Sequence, residues 1–321
     1  MTSGFWGKLN KPIMALAPMA DVTDAAFRFI IAKYGGPDVM YTEFVSADGL
    51  ASAGREKLLI DLKFDESERP IVVQFFGAKP ENFYKAALLA QELGFDGIDI
   101  NMGCPDKAVL KQGAGAALIE NPELAKEIIS ETKHGAGSLP VSVKTRLGFK
   151  KNVLKKWLPV LLESELAAII VHGRTAKEMS LVPADWEAIA EAVEIRNKME
   201  AGLIQKTVIL GNGDVKNLAD AETKAAQYDL DGVMIGRGIF GNPWFFNHDR
   251  QNKKVGQKEK LKVLLEHTRL FEKMFTGHKN FDVMKKHYKA YVNGFPGAKE
   301  LRIKLMRVEN AKEVEKILKK I

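Results

Sequence analysis

Short apolar runs rich in β-branched residues recur along the first three quarters of the chain: IMALAPM, VMYTEF, IVVQFF, GIDINM, VSVKTR, AIIVHG, TVILGN and DGVMIG. Between them lie stretches in which apolar residues return every three or four positions. ENFYKAALLAQELG, NPELAKEIISETKHG and ADWEAIAEAVEIRNKM are the clearest, and each reads as an amphipathic helix. Eight strand and helix alternations over about 245 residues predict an α/β fold of the TIM (β/α)8 barrel kind. A doubly wound open sheet usually carries a GxGxxG turn after its first strand. This chain has APMADVTD there. After GRGIFGNPWFF the strand signals stop, and three segments follow with helical spacing: KEKLKVLLEHTRLFEKMF, MKKHYKAYVNGF and LRIKLMRVENAKEVEKILKKI. The pattern therefore predicts a barrel domain over residues 1–250 and a small C-terminal helical domain over 251–321, divided at the polar stretch QNKKVGQK.

Composition changes this picture in two places. The chain of 321 residues has one cysteine, which excludes an internal disulfide and a multi-cysteine zinc site and fits a reducing compartment. No apolar run reaches the roughly 18 to 20 residues needed to span a bilayer, and MTSGFWGKLNKP lacks the apolar region of a leader. A cytoplasmic protein with no membrane association and no required protein partner is the expectation. Charge is more informative when divided. Residues 251–321 hold 19 Lys+Arg against 8 Asp+Glu, a net of +11, which leaves residues 1–250 at −4 of the overall +7. A solvated helical surface is one reading of that tail; a nucleic-acid backbone partner is the other.

Barrel chemistry comes from the C-terminal ends of the strands. Those ends carry Pro18 and Met19, Glu43, Gln74, Asn101 with Cys104 just beyond, Lys144 and Arg146, His172 and Arg174, Asn212 with Asp214, and Gly236 with Arg237. Singly, His172 reads as a core histidine and Lys144 as a surface lysine; together they describe one rim. GNGD (Gly211 to Asp214) and GRG (Gly236 to Gly238) follow the seventh and eighth strands, where barrels bind phosphate through backbone N–H groups, and Arg237 adds a charge-assisted contact. A phosphate-bearing cofactor follows. Lys144 and His172, side by side over the mouth, suit an electron-rich ring such as a reduced flavin, with Gln74 and the backbone near Pro18 to Ala20 at its other polar edge. A metal fits less well, because His172 has no second ligand at the right spacing.

The loop NMGCP follows the fourth strand, with Gly103 expected to allow an unusual turn and Pro105 to fix the chain after Cys104. Free cysteine is most often a small core hydrophobe. On a rigid rim, without a resolving thiol, it is a nucleophile or an acid, and beside a hydride donor the acid is the economical assignment.

These motifs together resemble the tRNA-dihydrouridine synthase family over nearly the whole chain: APMADVTDAAFR, VQFFGAKPENF, GIDINMGCPDKAVLKQGAGAALIENP, VSVKTRLGF, VHGRTAKE, GNGDV and GVMIGRGIFGNPWFF. The resemblance implies a TIM barrel carrying FMN, a helical tRNA-binding domain, and NADPH-driven reduction of the C5=C6 bond of uridine in tRNA. It implies FMN contacts from Pro18, Met19, Ala20, Gln74, Lys144, His172, Asn212, Gly213, Asp214, Gly236 and Arg237. Cys104 would protonate C5 after hydride reaches C6, while Asn101 and Arg146 would face the flavin and the base. Lys285, Lys286, His287 and Arg302 look like tRNA-binding positions. Two departures stand out: Ser180 occupies a position where an aromatic residue is expected, and TRLGFK lacks an acidic residue after its aromatic one. A flavin barrel acting on free pyrimidines, and an RNA-binding protein with an inactive barrel, are the competing readings.

Overall fold

The computed structural model describes residues 4–250, 253 and 255–321. Its strands are β1 (Ile13–Leu16), β2 (Met40–Ser46), β3 (Ile71–Phe76), β4 (Gly97–Met102), β5 (Val141–Arg146), β6 (Ala168–His172), β7 (Val208–Asn212) and β8 (Gly232–Ile235). All lie parallel in the order β1-β8-β7-β6-β5-β4-β3-β2. An isolated bridge between Ala15 and Val39 closes the ring, supported by the Leu16 N–H donating to the Val39 carbonyl at 3.0 Å. The eight-stranded barrel expected from the pattern is therefore what forms.

The strands read as continuous apolar runs because both of their faces are covered. Helices Ala25–Gly35, Pro80–Glu92, Pro122–Ala136, Leu154–Leu162, Trp186–Met199 and Leu218–Gln227 form the outer layer. Met14 and Leu16 join the outer core, whereas Ile13, Ala15 and Ala17 join a second cluster with Tyr41, Val72, Ile170, Leu210 and Met234. That second cluster fills the barrel, and Trp6, from the N-terminal 3-10 turn Gly4–Lys8, packs into it. Side chains alternate across a strand with period two. Gln74 follows Val72, His172 follows Ile170 and Asn212 follows Leu210 on the same face. The polar rim thus stands directly above the apolar plug.

Four helices follow the barrel: Gln257–Phe275, Val283–Tyr291, Ala298–Leu305 and Ala311–Leu318. The final segment, which reads as one helical stretch in sequence, breaks before Asn310. The Asn310 side chain accepts the Glu313 N–H at 3.0 Å and the Glu313 carboxylate accepts the Glu309 N–H at 3.0 Å, so a new helix is capped there. The division expected at 250/251 falls beside residues 251, 252 and 254, which lie outside the described residues. Across it the core is shared: Leu264, Phe271, Tyr288 and Tyr291 belong to the same apolar cluster as Phe27, Ile30 and Ile31. Among the described residues no helix is long and apolar enough to cross a membrane.

Candidate active site

At the C-terminal ends of the strands a cavity of about 770 Å³ opens, lined by Pro18, Met19, Lys144, Arg146, His172, Arg174, Asn212, Gly213, Asp214, Lys216, Gly236 and Arg237 with their neighbours. Most of the sequence-derived cofactor positions therefore meet in one place. Ala20 is exposed outside this wall. Gln74 is fully buried and lies off the wall: its amide donates to Asp99 at 2.6 Å and accepts from the Asn101 amide at 2.9 Å. The Ser142 hydroxyl donates to the other Asp99 oxygen at 2.6 Å. The result is a closed chain of polar groups that supports the rim from beneath.

Lys144 and His172 line the same cavity, as expected, although in strand register it is Arg146 that stands opposite His172 between β5 and β6. Lys144 also reaches Asn212, donating to its amide oxygen at 3.1 Å, while the Asn212 amide donates to the Met234 carbonyl at 2.7 Å. Strands β5, β7 and β8 are thereby tied at one level.

Five cationic side chains, Lys144, Arg146, Arg174, Lys216 and Arg237, line the cavity against the single carboxylate of Asp214. Asp214 pairs with the buried Arg174 and, at 3.2 Å, with Arg237. The Arg174 hydrogen bond comes first among the causes that hold this carboxyl below its usual range. Burial, and then the Arg146 charge, push the Lys144 ammonium down to about 8. Burial and the surrounding cations drive His172 far below its ordinary value. An Arg174 N–H lies 3.2 Å from His172 Nε2. Arginine can only donate, so Nε2 accepts and the ring proton sits on Nδ1. The neutral imidazole can offer that proton, and the excess of positive charge favours an anionic ligand.

Cys104 lies just beyond this wall, half-buried. Its N–H donates to Asn101 Oδ1 at 2.9 Å and its carbonyl accepts the Ala116 N–H at 3.0 Å, so the backbone is held on both sides. Arg146 Nε donates to the Gly103 carbonyl at 2.7 Å, which ties the loop to the cavity. Gly103 is not among the glycines with left-handed φ; the need is closeness, since a Cβ there would sit 3.3 Å from the Thr145 carbonyl carbon. Burial pushes the thiol above its ordinary value, and it stays protonated at neutral pH.

The tail positions do not converge on the cavity. Lys285 pairs with Asp282 on its own helix, and Arg302 donates to the Val292 carbonyl at 2.7 Å. Lys286 is exposed and lies 3.6 Å from Asp21 of the β1 loop. His287 is fully buried, which corrects its reading as an RNA contact. Met284, His287, Tyr288 and Tyr291 recur at helical spacing and share the face that packs on the barrel. The sequence places Arg174 on the rim without a role, and two residues of the site escape notice there, Lys216 and Asp99. The last was signalled by a charged residue inside the apolar run GIDINM.

The family model for dihydrouridine synthase matches residues 15–321. The probable tRNA-dihydrouridine synthase 2 of Bacillus subtilis (strain 168) is 40% identical over 321 residues, covering 99% of this chain and 96% of the relative. The probable tRNA-dihydrouridine synthase of Staphylococcus aureus (strain COL) is 40% identical over the same length, covering 99% and 95%. Among solved structures, morphinone reductase aligns with a TM-score of 0.54 at 13% identity, covering 80% of this chain and 89% of that one. Histamine dehydrogenase from Rhizobium sp. 4-9 aligns at 0.57 and 11%, covering 80% and 48%. At such identities these two likenesses show the fold alone.

Proposed function

The chain belongs to the dihydrouridine synthase family, and from that premise we propose that it reduces the C5=C6 bond of uridine in tRNA, with FMN as cofactor, NADPH as reductant and Cys104 as proton donor. The observation that carries this reading is the pairing of an electropositive cavity with a neighbouring protonated thiol. The donor set fits a flavin mononucleotide. Its phosphate is matched by Arg237, Lys216 and the glycine turns at Gly213 and Gly236. Its polar ring edges are matched by Lys144, neutral His172 and Asn212, with Pro18 and Met19 against the ring. When bound, FMN would supply the hydride that uracil C6 receives, with NADPH restoring its electrons.

The remaining work belongs to the chain. Cys104 gives the proton on Sγ to C5 as hydride reaches C6, so the C=C bond becomes a single bond and the thiolate takes a proton back from solvent. Arg146 and Asn101 hold the NMGCP loop so that Sγ faces the base. Arg174 and Asp214 keep His172 neutral and oriented. Extracting a base from folded RNA costs a few kcal/mol of unstacking, which phosphate contacts can offset. We assign those contacts to exposed cations of a tRNA-binding segment, residues 251–321, appended to the catalytic barrel of residues 1–250. Lys286 is included, with the part-buried Lys285 beside it held by Asp282, and Arg302 supports the turn at Val292.

The test is reaction of purified protein, FMN and NADPH with unmodified tRNA, and in parallel with free uridine and uracil, read by nucleoside mass spectrometry. Dihydrouridine in tRNA alone supports the proposal. Product from the free pyrimidines at equal or greater rate moves the enzyme to that substrate class, and a protein that binds tRNA but takes up no flavin is a binder only.

A further inference from the structure

Glu43 lies midway along β2, nearly fully buried, and the flavin reading gives it no role. One of its oxygens accepts the backbone N–H of Asp21, and the other lies 2.6 Å from Lys279 Nζ. Asp21 has φ of 53° and follows Pro18 and Met19, which line the cavity. The turn closes on itself through the Val22 and Thr23 N–H groups, which donate to the Met19 carbonyl at 3.1 and 3.0 Å. Its outward Asp21 N–H is the one held from the neighbouring strand β2.

Lys279 belongs to the C-terminal segment, just beyond the helix Gln257–Phe275. Its ammonium also lies 2.7 Å from Asp61 and 5.1 Å from the Phe275 ring centroid, and its side chain is only 13% exposed. Glu43 and Asp61 share this one cation, and fully buried Asp24 stands close enough to feel both Glu43 and Lys279. Without the ammonium, a buried carboxylate would be left uncompensated, the costly half of a broken buried pair.

We infer that Lys279 is a positioning residue of the active site: by neutralising Glu43 it lets that carboxylate hold the Asp21 N–H, and so sets the Pro18–Asp21 turn against the cofactor cavity. The inference rests on the reading that this cavity takes FMN. It makes the C-terminal helices part of the cofactor site as well as a surface for RNA.

Fluorescence titration of FMN into wild type, Lys279→Met, Lys279→Arg and the double variant Lys279→Met with Glu43→Gln tests it. Lys279→Met is expected to weaken FMN binding about tenfold, and Lys279→Arg to restore most of it. The double variant is expected to bind within about threefold of wild type, because the amide oxygen introduced by Glu43→Gln still accepts from Asp21 and the more deeply buried of the two carboxylates on Lys279 is gone, which leaves only the part-exposed Asp61. A role in packing alone predicts no recovery in the double variant. Wild-type affinity in Lys279→Met, or a double variant as weak as the single one, overturns the inference. Should Lys279→Met fail to fold, the double variant must fold and bind FMN, and its failure refutes the charge argument. Wild-type protein that takes up no FMN at millimolar concentration refutes the flavin reading itself.

Discussion

Cys104→Ala separates proton donation from everything else the loop does. The backbone of Cys104 is held by Asn101 Oδ1 and by the Ala116 N–H, neither of which involves the thiol, so the substitution leaves the loop in place. A positioned general acid contributes roughly 10²- to 10⁴-fold, about 3 to 5 kcal/mol of barrier. FMN affinity and the rate of flavin reduction by NADPH should be unchanged. Dihydrouridine formed in an anaerobic single turnover, by enzyme reduced beforehand and mixed with tRNA, should fall by that factor. The pH dependence follows from burial, which holds the thiol above its ordinary value of 9.0. The acid form is the active one, so the wild-type rate should stay level through neutrality and fall only at higher pH. The variant should lack that fall. Product within threefold of wild type in Cys104→Ala, or a wild-type rate that climbs with pH between 7 and 9, would refute the acid role.

Three further outcomes follow from the fold. Arg28 is fully buried, donating to Glu68 at 2.5 Å and to the Thr23 carbonyl at 2.7 Å. Arg28→Met should therefore cost about 3–5 kcal/mol in urea unfolding. Burial raises the Glu68 carboxyl even with Arg28 present. The deficit should then be largest at neutral pH and shrink as pH falls through the folded value of Glu68; a loss independent of pH argues against the charge origin. His267 stacks on Phe27 and His287 meets the same ring at a tilt, both buried with no hydrogen-bond partner on either ring nitrogen, and burial pushes His287 down to about 3 and His267 well below its usual value. The unfolded chain binds protons near pH 6.5 that the folded one refuses, so stability should drop below that pH by up to about 1.4 kcal/mol per unit for each ring. His287→Phe should reduce the slope by one proton, and an unchanged slope speaks against neutral burial. Gly213 has φ of 135°, and a Cβ there would sit 2.6 Å from the Ala184 methyl. Gly213→Ala should raise the FMN dissociation constant at least tenfold, and unchanged affinity would remove this turn from the cofactor site.

The sequence alone determined the strands, their order along the chain and the polar or glycine residues near the end of each, because short apolar runs and the residues that follow them are local properties. IVVQFF, GIDINM and VSVKTR coincide with β3, β4 and β5 residue for residue. Motif resemblance carried the family in the same way, through residues contiguous in the chain. Register and long-range packing were decided only in three dimensions. Which of Lys144 and Arg146 faces His172 depends on how two strands separated by a helix align. His287 shares a helix with exposed lysines, and only the barrel surface beneath it makes it a core residue. Lys279 looks in sequence like one cation of a basic tail. It meets Glu43 across 236 positions of chain, and no local pattern encodes a contact whose energy exists only when both charges are buried together.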